Sequence, residues 1–233
     1  MRNRLLGRRN RRPGQQLVGR HISTLRDGLQ VGYNLASVHD SGPYGLHLTN
    51  NSGVTFVSGK IRLSALFLSS WLSRSNHSAL SLATAPWTVA CWCYPDAIAV
   101  GSDYIWSKWI TAGDDRGIVV RRAAATELIQ VLYSPDGLGA SAQTITSTGT
   151  MPADAWTHLI VDFDGDDYGL RFNGGAREET AGTGAPFDNA APLEIGSLGG
   201  GSGWQGMLDS FFKWNRLLSP LEIARLQTLE FPL

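Results

Sequence analysis

The amino-acid sequence predicts an all-β protein: two packed antiparallel sheets, an extended basic N-terminal arm and a short C-terminal helix. Three observations carry this. From about residue 29, apolar and polar residues alternate in short runs, the period of strands with one buried face. Turn chemistry separates the runs at Asn51-Ser52-Gly53, Pro95-Asp96, Asp114-Asp115-Arg116-Gly117, Ser134-Pro135-Asp136-Gly137, Asp164-Gly165 and Asn173-Gly174. A hydrophobic content of 42% against 17% charged residues suffices to fill a core, and 27 glycines and 10 prolines suit many tight turns.

The arm comes first. Residues 1–28 read as an arm and residues 29–233 as the sandwich. The chain holds 20 basic and 20 acidic residues, but Arg2, Arg4, Arg8, Arg9, Arg11, Arg12 and Arg20 fall within residues 1–20, which carry no acid. The remaining 13 basic residues face all 20 acidic ones, so a cationic arm precedes an anionic body. Alone, such a segment reads as a solvated tail, because it holds too little apolar surface to order itself.

The predicted strands follow at residues 54–57, 64–68, 87–94, 104–109, 117–121, 128–133, 141–147, 157–163, 169–172, 193–195 and 207–214. About ten short strands at this spacing favour a double-sheet sandwich. One helix is expected, with Ser219 as N-cap, Pro220 at its first position and Glu222 completing a capping box. Its packing face is expected to use Leu221, Ala224 with Ile223, and Leu226.

Cys91 and Cys93 flank Trp92, so on a strand they share a face with Cα atoms roughly 6.5–7 Å apart, at the limit for a disulfide. Free buried thiols are expected, and a second Cys/His pair for zinc is lacking. Leu5-Leu6 is the one apolar pair before residue 17, so no secretory core is expected, and no apolar run is long enough to span a bilayer.

In order, these residues resemble a known family over residues 33–228. Gly45-Leu46-His47-Leu48-Thr49-Asn50-Asn51 precedes Val54 and Gly59-Lys60; Leu72-Ser73-Arg74 with Leu80 is similar to an edge strand; and residues 87–96 resemble a strand of alternating apolar residues ending in a tryptophan. Ser107-Lys108-Trp109, Trp156-Thr157-His158, the Asn173-Gly174 hairpin and residues 208–219 follow. The series is similar to the laminin-G-like domains of the concanavalin A-like lectin/glucanase superfamily, of the kind found in phage structural proteins. That resemblance implies a jelly-roll sandwich and roles in glycan binding, adhesion and protein contact. An acid often follows the aspartate of the closing motif, and here Ser210 stands there.

Little in the chain suggests catalysis. Hydrolytic members of the superfamily place carboxylates at alternate positions of one strand. The comparable run, Asp162-Phe163-Asp164-Gly165-Asp166-Asp167, enters a hairpin turn, where solvated aspartates are ordinary. Read as an EF-hand loop from Asp162, it has Asp167 and Asn173 where glycine and glutamate are required. Gly201-Ser202-Gly203-Trp204-Gln205-Gly206 has dinucleotide spacing but precedes a strand, so it reads as a hairpin loop. No cofactor is expected. The resemblance leaves room for a structural calcium ion near Asp40 or Asp209. His158 is expected to be structural.

Trp87, Trp92, Trp156 and Trp214 lie within strand patterns and are expected in the core, whereas Trp109 and Trp204 sit at loops. A rim aromatic beside polar groups suits sugar recognition, because sugar CH faces stack on rings while hydroxyls need fixed partners. The candidate glycan residues are therefore Trp109, Asp114, Asp115, Arg116 and Trp204. The competing reading folds a loop aromatic back onto its own hairpin. For the arm, no aromatic interleaves the arginines and the body is acidic, so a protein surface is favoured over nucleic acid. The functional expectation is a non-enzymatic virion protein, located in the virus particle and anchored by its arm to capsid or tail proteins. Its sandwich decorates the particle or touches host-surface glycans, and further copies of itself are another expected partner. The alternatives are a free glycan-binding module and, more weakly, a glycoside hydrolase.

Overall fold

A computed structural model describes residues 25–96, 102–123 and 125–228, apart from the side chains of Ser102 and Ser202. The predicted arginine arm, with all seven arginines, lies outside the described residues. One antiparallel sheet contains β1 (Leu29–Tyr33), β3 (Thr55–Ser58), β4 (Leu63–Leu68), β6 (Trp87–Pro95), β11 (Thr157–Phe163), β12 (Asp167–Phe172), β13 (Glu178–Ala181) and β17 (Gln205–Trp214). The other contains β2 (Thr49–Asn51), β5 (Trp71–Arg74), β7 (Ser102–Ile110), β8 (Asp115–Ala123), β9 (Leu128–Tyr133), β10 (Gln143–Thr150) and β14 (Leu193–Ile195). Their orders are β13-β12-β11-β6-β17-β4-β3, with β1 also on β17, and β10-β9-β8-β7-β14-β5-β2. A small ribbon pairs β15 (Ser197–Leu198) with β16 (Ser202–Gly203). This is the predicted two-layer jelly-roll sandwich.

Alternation sorts the side chains between the layers. On β6, Val89, Cys91 and Cys93 enter the inter-sheet core, whereas Ala90 belongs to a second cluster on the outer face. The core is completed from the facing sheet by Ile105, Trp106, Ile118, Val120, Ile129, Val131 and Ile195. The two thiols are free and buried, with their sulfurs 3.5 Å apart, and burial pushes the Cys93 pKa up.

The second cluster explains why β11 is buried at every position. Leu25, Leu29, Ala90, Ile160, Phe212, Trp214 and Leu218 pack under helix α1 (Pro220–Gln227), which contributes Ile223 and Leu226. Each buried leucine, isoleucine or phenylalanine of this cluster contributes about 1.5–3 kcal/mol relative to exposure. The capping box forms as expected, with the Ser219 side chain accepting from the Glu222 N–H and the Glu222 carboxylate accepting from the Ser219 N–H at 2.9 Å. Arg216 also donates to Glu222 at 2.7 and 3.0 Å. Burial would raise the Glu222 pKa, but these bonds hold it down at about 2.

Several expectations need correction. The packing face of α1 is Ile223 and Leu226, while Leu221 and Ala224 are exposed. The reason is rotational: Glu222 must turn back toward Ser219 and Arg216, and that fixes which side meets the sheet. Trp156, expected in the core, is half-buried ahead of β11, with its ring 5.4 Å from Tyr94. Leu72-Ser73-Arg74 is not an edge, because β5 lies between β14 and β2. The short polar strands β2 and β13 have no apolar alternation to announce them; neighbouring backbones recruit them. Among the described residues no helix is long and apolar enough to cross a membrane.

Replacing Ser219 with alanine removes one half of the capping box. It should cost about 1 kcal/mol in urea unfolding followed by tryptophan fluorescence. Leu221→Ala on the exposed side should stay within about 0.5 kcal/mol of wild type.

Candidate functional site

Three loops meet at one end of the seven-stranded sheet. They are the β7–β8 hairpin, the β9–β10 loop and the segment that leads into β14. The Arg116 N–H donates to the Gly137 carbonyl at 3.3 Å, the Phe187 N–H to the Ser134 carbonyl at 2.8 Å and the Ala190 N–H to the Asp115 carboxylate at 3.3 Å.

The hairpin is built by sequence. Gly113 and Asp114 take positive φ at its tip, a conformation open to glycine and tolerated by aspartate. Trp109 lies opposite Arg116, and the register then slips, leaving Gly117 unmatched before Lys108 meets Ile118. Glycine is required at 117, because a Cβ there would stand 2.6 Å from the Asn189 amide nitrogen and 2.7 Å from the Lys108 carbonyl. Asn189 uses that closeness to donate to the Lys108 and Asp115 carbonyls at 2.8 and 3.0 Å.

Arg116 and Asp114 form an ion pair, in which the Arg116 side chain is 15% exposed and that of Asp114 is 59% exposed. The guanidinium lies against Gly139, where an added Cβ would stand 3.0 Å from its central carbon. The β9–β10 loop is fixed by Asp136, which accepts from Ser141, Ser134 and the Leu138 N–H at 2.7, 3.0 and 2.9 Å. These bonds, led by that from Ser141, lower the Asp136 pKa. Around this polar centre, Ile110, Leu138 and Phe187 are 36%, 44% and 38% exposed, and Trp109 is half-buried. The Phe187 ring borders Gly137, where a Cβ would stand 3.0 Å from it. The end of the sheet thus offers apolar faces beside a preset carboxylate–guanidinium pair, with no strand-borne pair of free carboxylates.

Of the predicted glycan residues, Trp109, Asp114, Asp115 and Arg116 are brought together here. Trp204 is not, and its predicted rim position is corrected: it is 0% exposed and belongs to the inter-sheet core. Gly196, Gly199, Gly200 and Gly206 all adopt positive φ, which lets the ribbon double back and carry the indole inward. Its N–H donates to the Met207 carbonyl at 3.3 Å. Sequence reading missed Ile110, Leu138 and Phe187. The available signal was Phe187, a lone aromatic in a loop of small residues.

Residues 70–224 match the family model for the concanavalin A-like lectin/glucanases superfamily. The chain belongs to this superfamily. Among solved structures it is similar to domain 4 of AbnA, a GH43 extracellular arabinanase from Geobacillus stearothermophilus, in complex with arabinotriose. The TM-score is 0.68 at 15% identity, with 85% of this chain and 98% of that chain covered. It is also similar to the binding domain of Paraclostridial Mosquitocidal Protein 1, at TM-score 0.68 and 17% identity over 87% of this chain and 52% of that one. A third is botulinum neurotoxin type C, whose uptake into cells depends upon interaction with two ganglioside molecules. There the TM-score is 0.67 at 10% identity, over 90% of this chain and 53% of that one. The chain thus spans about half of the two toxin chains, and these likenesses speak to the fold alone. A comparison with curated proteins found no sequence match.

In this concanavalin A-like chain Asp162, Asp164, Asp40 and Asp209 have structural partners. Asp162 pairs with Arg177 at 2.7 Å, and burial raises its pKa. Asp164 accepts from the Asp166 and Asp167 N–H groups at 3.0 and 2.8 Å, which lowers its pKa, and also meets Arg177 at 3.1 Å. Asp40, one of two positions considered for calcium, accepts from the Gly32, Gly42 and Leu46 N–H groups at 2.9, 2.7 and 2.8 Å. Asp209, the other, accepts from the Lys60 and Ile61 N–H groups and from Ser210 at 3.1, 3.0 and 2.7 Å. Both therefore tether loops. Among the described residues no group of three or more His, Cys, Asp or Glu side chains is arranged to hold a metal ion.

His158 is buried against Trp92 with ring centroids 4.8 Å apart, and desolvation lowers its pKa to about 4. The folded state therefore binds the proton less readily than the unfolded chain. Stability contributed by neutral His158 is present above about pH 6.5 and is lost as pH falls toward 4. By pH 5 the loss should be about 2 kcal/mol, and His158→Phe should remove that part of the acid slope in urea titrations at several pH values.

Proposed function

We propose that this chain is a non-catalytic recognition module that takes glycan at the Trp109–Phe187 end of its sandwich. The observation that carries the reading is the grouping of half-exposed aromatic and aliphatic faces around the Arg116–Asp114 pair. Rings supply stacking surface for sugar CH groups, and the ion pair supplies directional donors and acceptors that are already oriented. Asp162 and Asp164 of the acidic run on the other sheet are both held by Arg177, which suits a structural role better than an acid and base for hydrolysis. That the arabinanase domain was solved with arabinotriose, on the same fold, is consistent with this reading.

The second part of the reading concerns the arm. Seven arginines without an acid, joined to a body with an excess of acid, suit a subunit held by partner proteins through clustered charge. The assembly proposed is a virus particle, with residues 1–28 as the anchor, capsid or tail proteins as partners and residues 29–233 displayed outward.

A glycan array followed by calorimetry tests the first part. Trp109→Ala and Phe187→Ala should each weaken the best binder about tenfold, equivalent to about 1.4 kcal/mol. Leu68→Ala, on the opposite sheet, should leave affinity unchanged. A silent array, or full affinity in both aromatic variants, would count against the site.

Deleting residues 1–20 tests the second part. The truncated protein should keep its circular dichroism and melting profile yet fail to co-sediment with purified particles. Incorporation equal to that of the full chain would rule out the anchor.

A further inference from the structure

Among the described residues, two lysines lie between the sheets without a carboxylate partner. Lys108 on β7 and Lys213 on β17 are 3% and 5% exposed. Lys108 stands two residues after Trp106 and Lys213 two after Phe211. Those two rings meet within the inter-sheet core at a centroid separation of 6.1 Å. Strand alternation therefore directs both ammonium groups into the same part of the space between the layers. The register agrees, since Lys213 pairs with Val31 and Val89, both of the inter-sheet core, and Lys108 with Ile118.

Their hydrogen bonds are few for buried cations. Lys108 donates to the Ala191 carbonyl at 2.6 Å and to the Asn76 amide oxygen at 2.8 Å; Lys213 donates to the Ala79 carbonyl at 2.9 Å. An ammonium carries three N–H groups, so these three bonds use half of the donors. Among the described residues neither lysine makes an ion pair. Asp188 and Asp115 act on Lys108 from beyond ion-pair distance, while Asp188 accepts from Ser81 at 2.7 Å and Asp115 from Ala190. The charge that acts on Lys213 is that of Lys108, which repels it. Burying an ammonium costs several kcal/mol, and placing two together without an acid compounds that cost. Desolvation brings both pKa values down to about 8, so both groups still carry their protons at neutral pH.

We propose that Lys108 and Lys213 form an internal site for a small inorganic anion, held between the two sheets. The lid is made of the residues 76–81 segment and the strap of residues 188–191, which Ser81 and Asp188 join by their hydrogen bond. With both lysines nearly unexposed, the site admits an ion and excludes a sugar chain. It is independent of the glycan reading. Its consequence is mechanical: one anion bridges an ammonium on each sheet, offsets their mutual repulsion and clamps the layers at this end.

The test is thermal unfolding of the full chain at neutral pH in sodium gluconate, replaced stepwise at constant ionic strength by chloride, sulfate or phosphate. An anion that binds the folded state raises the melting temperature along a saturating curve. At least one of the three should do so in the wild type, and the saturating component should vanish in Lys213→Met. Sulfate and phosphate also stabilise proteins generally, but that effect is common to wild type and variant. At about pH 10, above both lysine titrations, the wild-type response should likewise disappear, which decides the matter even if the variant folds poorly. Parallel wild-type and variant curves for all three anions would overturn the site, as would a saturating response that survives at about pH 10.

Discussion

Strand β17 carries the constraint on which the remaining structure depends. Its side chains must satisfy two cores at once, with Phe211 facing the opposite sheet and Phe212 and Trp214 facing the helix. It also pairs with three strands, β6 along one edge and β4 and β1 in succession along the other. A one-residue slip would exchange the faces, so the register is set by burial on both sides. The bulge between Asp209 and Phe212 serves this double duty. Ser210 takes positive φ there, and Asp209 is freed to tether the Lys60–Ile61 backbone.

The outer cluster extends the same constraint to both ends of the described chain. The Trp214 indole donates to the Leu25 carbonyl at 2.7 Å, and Arg216 joins the Asp27 carbonyl to Glu222. Leu25, which precedes β1, is thereby fixed beside the helix that follows β17. Hydrogen bonds here set position, and the apolar cluster supplies most of the stabilisation. Among the described residues no helix covers the seven-stranded sheet, and the three loops of the candidate site gather at one of its ends.

That site shows how loops acquire order without regular structure. Asp136 organises one loop, Asn189 bolts the strap to the hairpin, and Gly117 makes room for the bolt. Such prepayment of loop entropy favours recognition, because a preset surface loses less freedom on binding. The Asp188–Ala191 strap touches both the hairpin and Lys108, so the rim and the lysine pair share a support.

The sequence by itself determined the layer architecture, the central strands and the capped helix. Alternation at residues 157–163 and the Ser219–Glu222 pairing are local patterns with few competing solutions. It also brought Trp109, Asp114, Asp115 and Arg116 into view, because they lie within one hairpin. Tertiary structure alone decided what depends on contacts between distant segments. Trp204 looked like a rim residue until positive-φ glycines turned it inward, and the face of α1 was set by Glu222 reaching Arg216. Phe187 and the facing lysines come together only when separate strands and loops converge. No local period records that convergence, since hydrophobic patterning specifies which face is buried but not which distant residue waits on the other side.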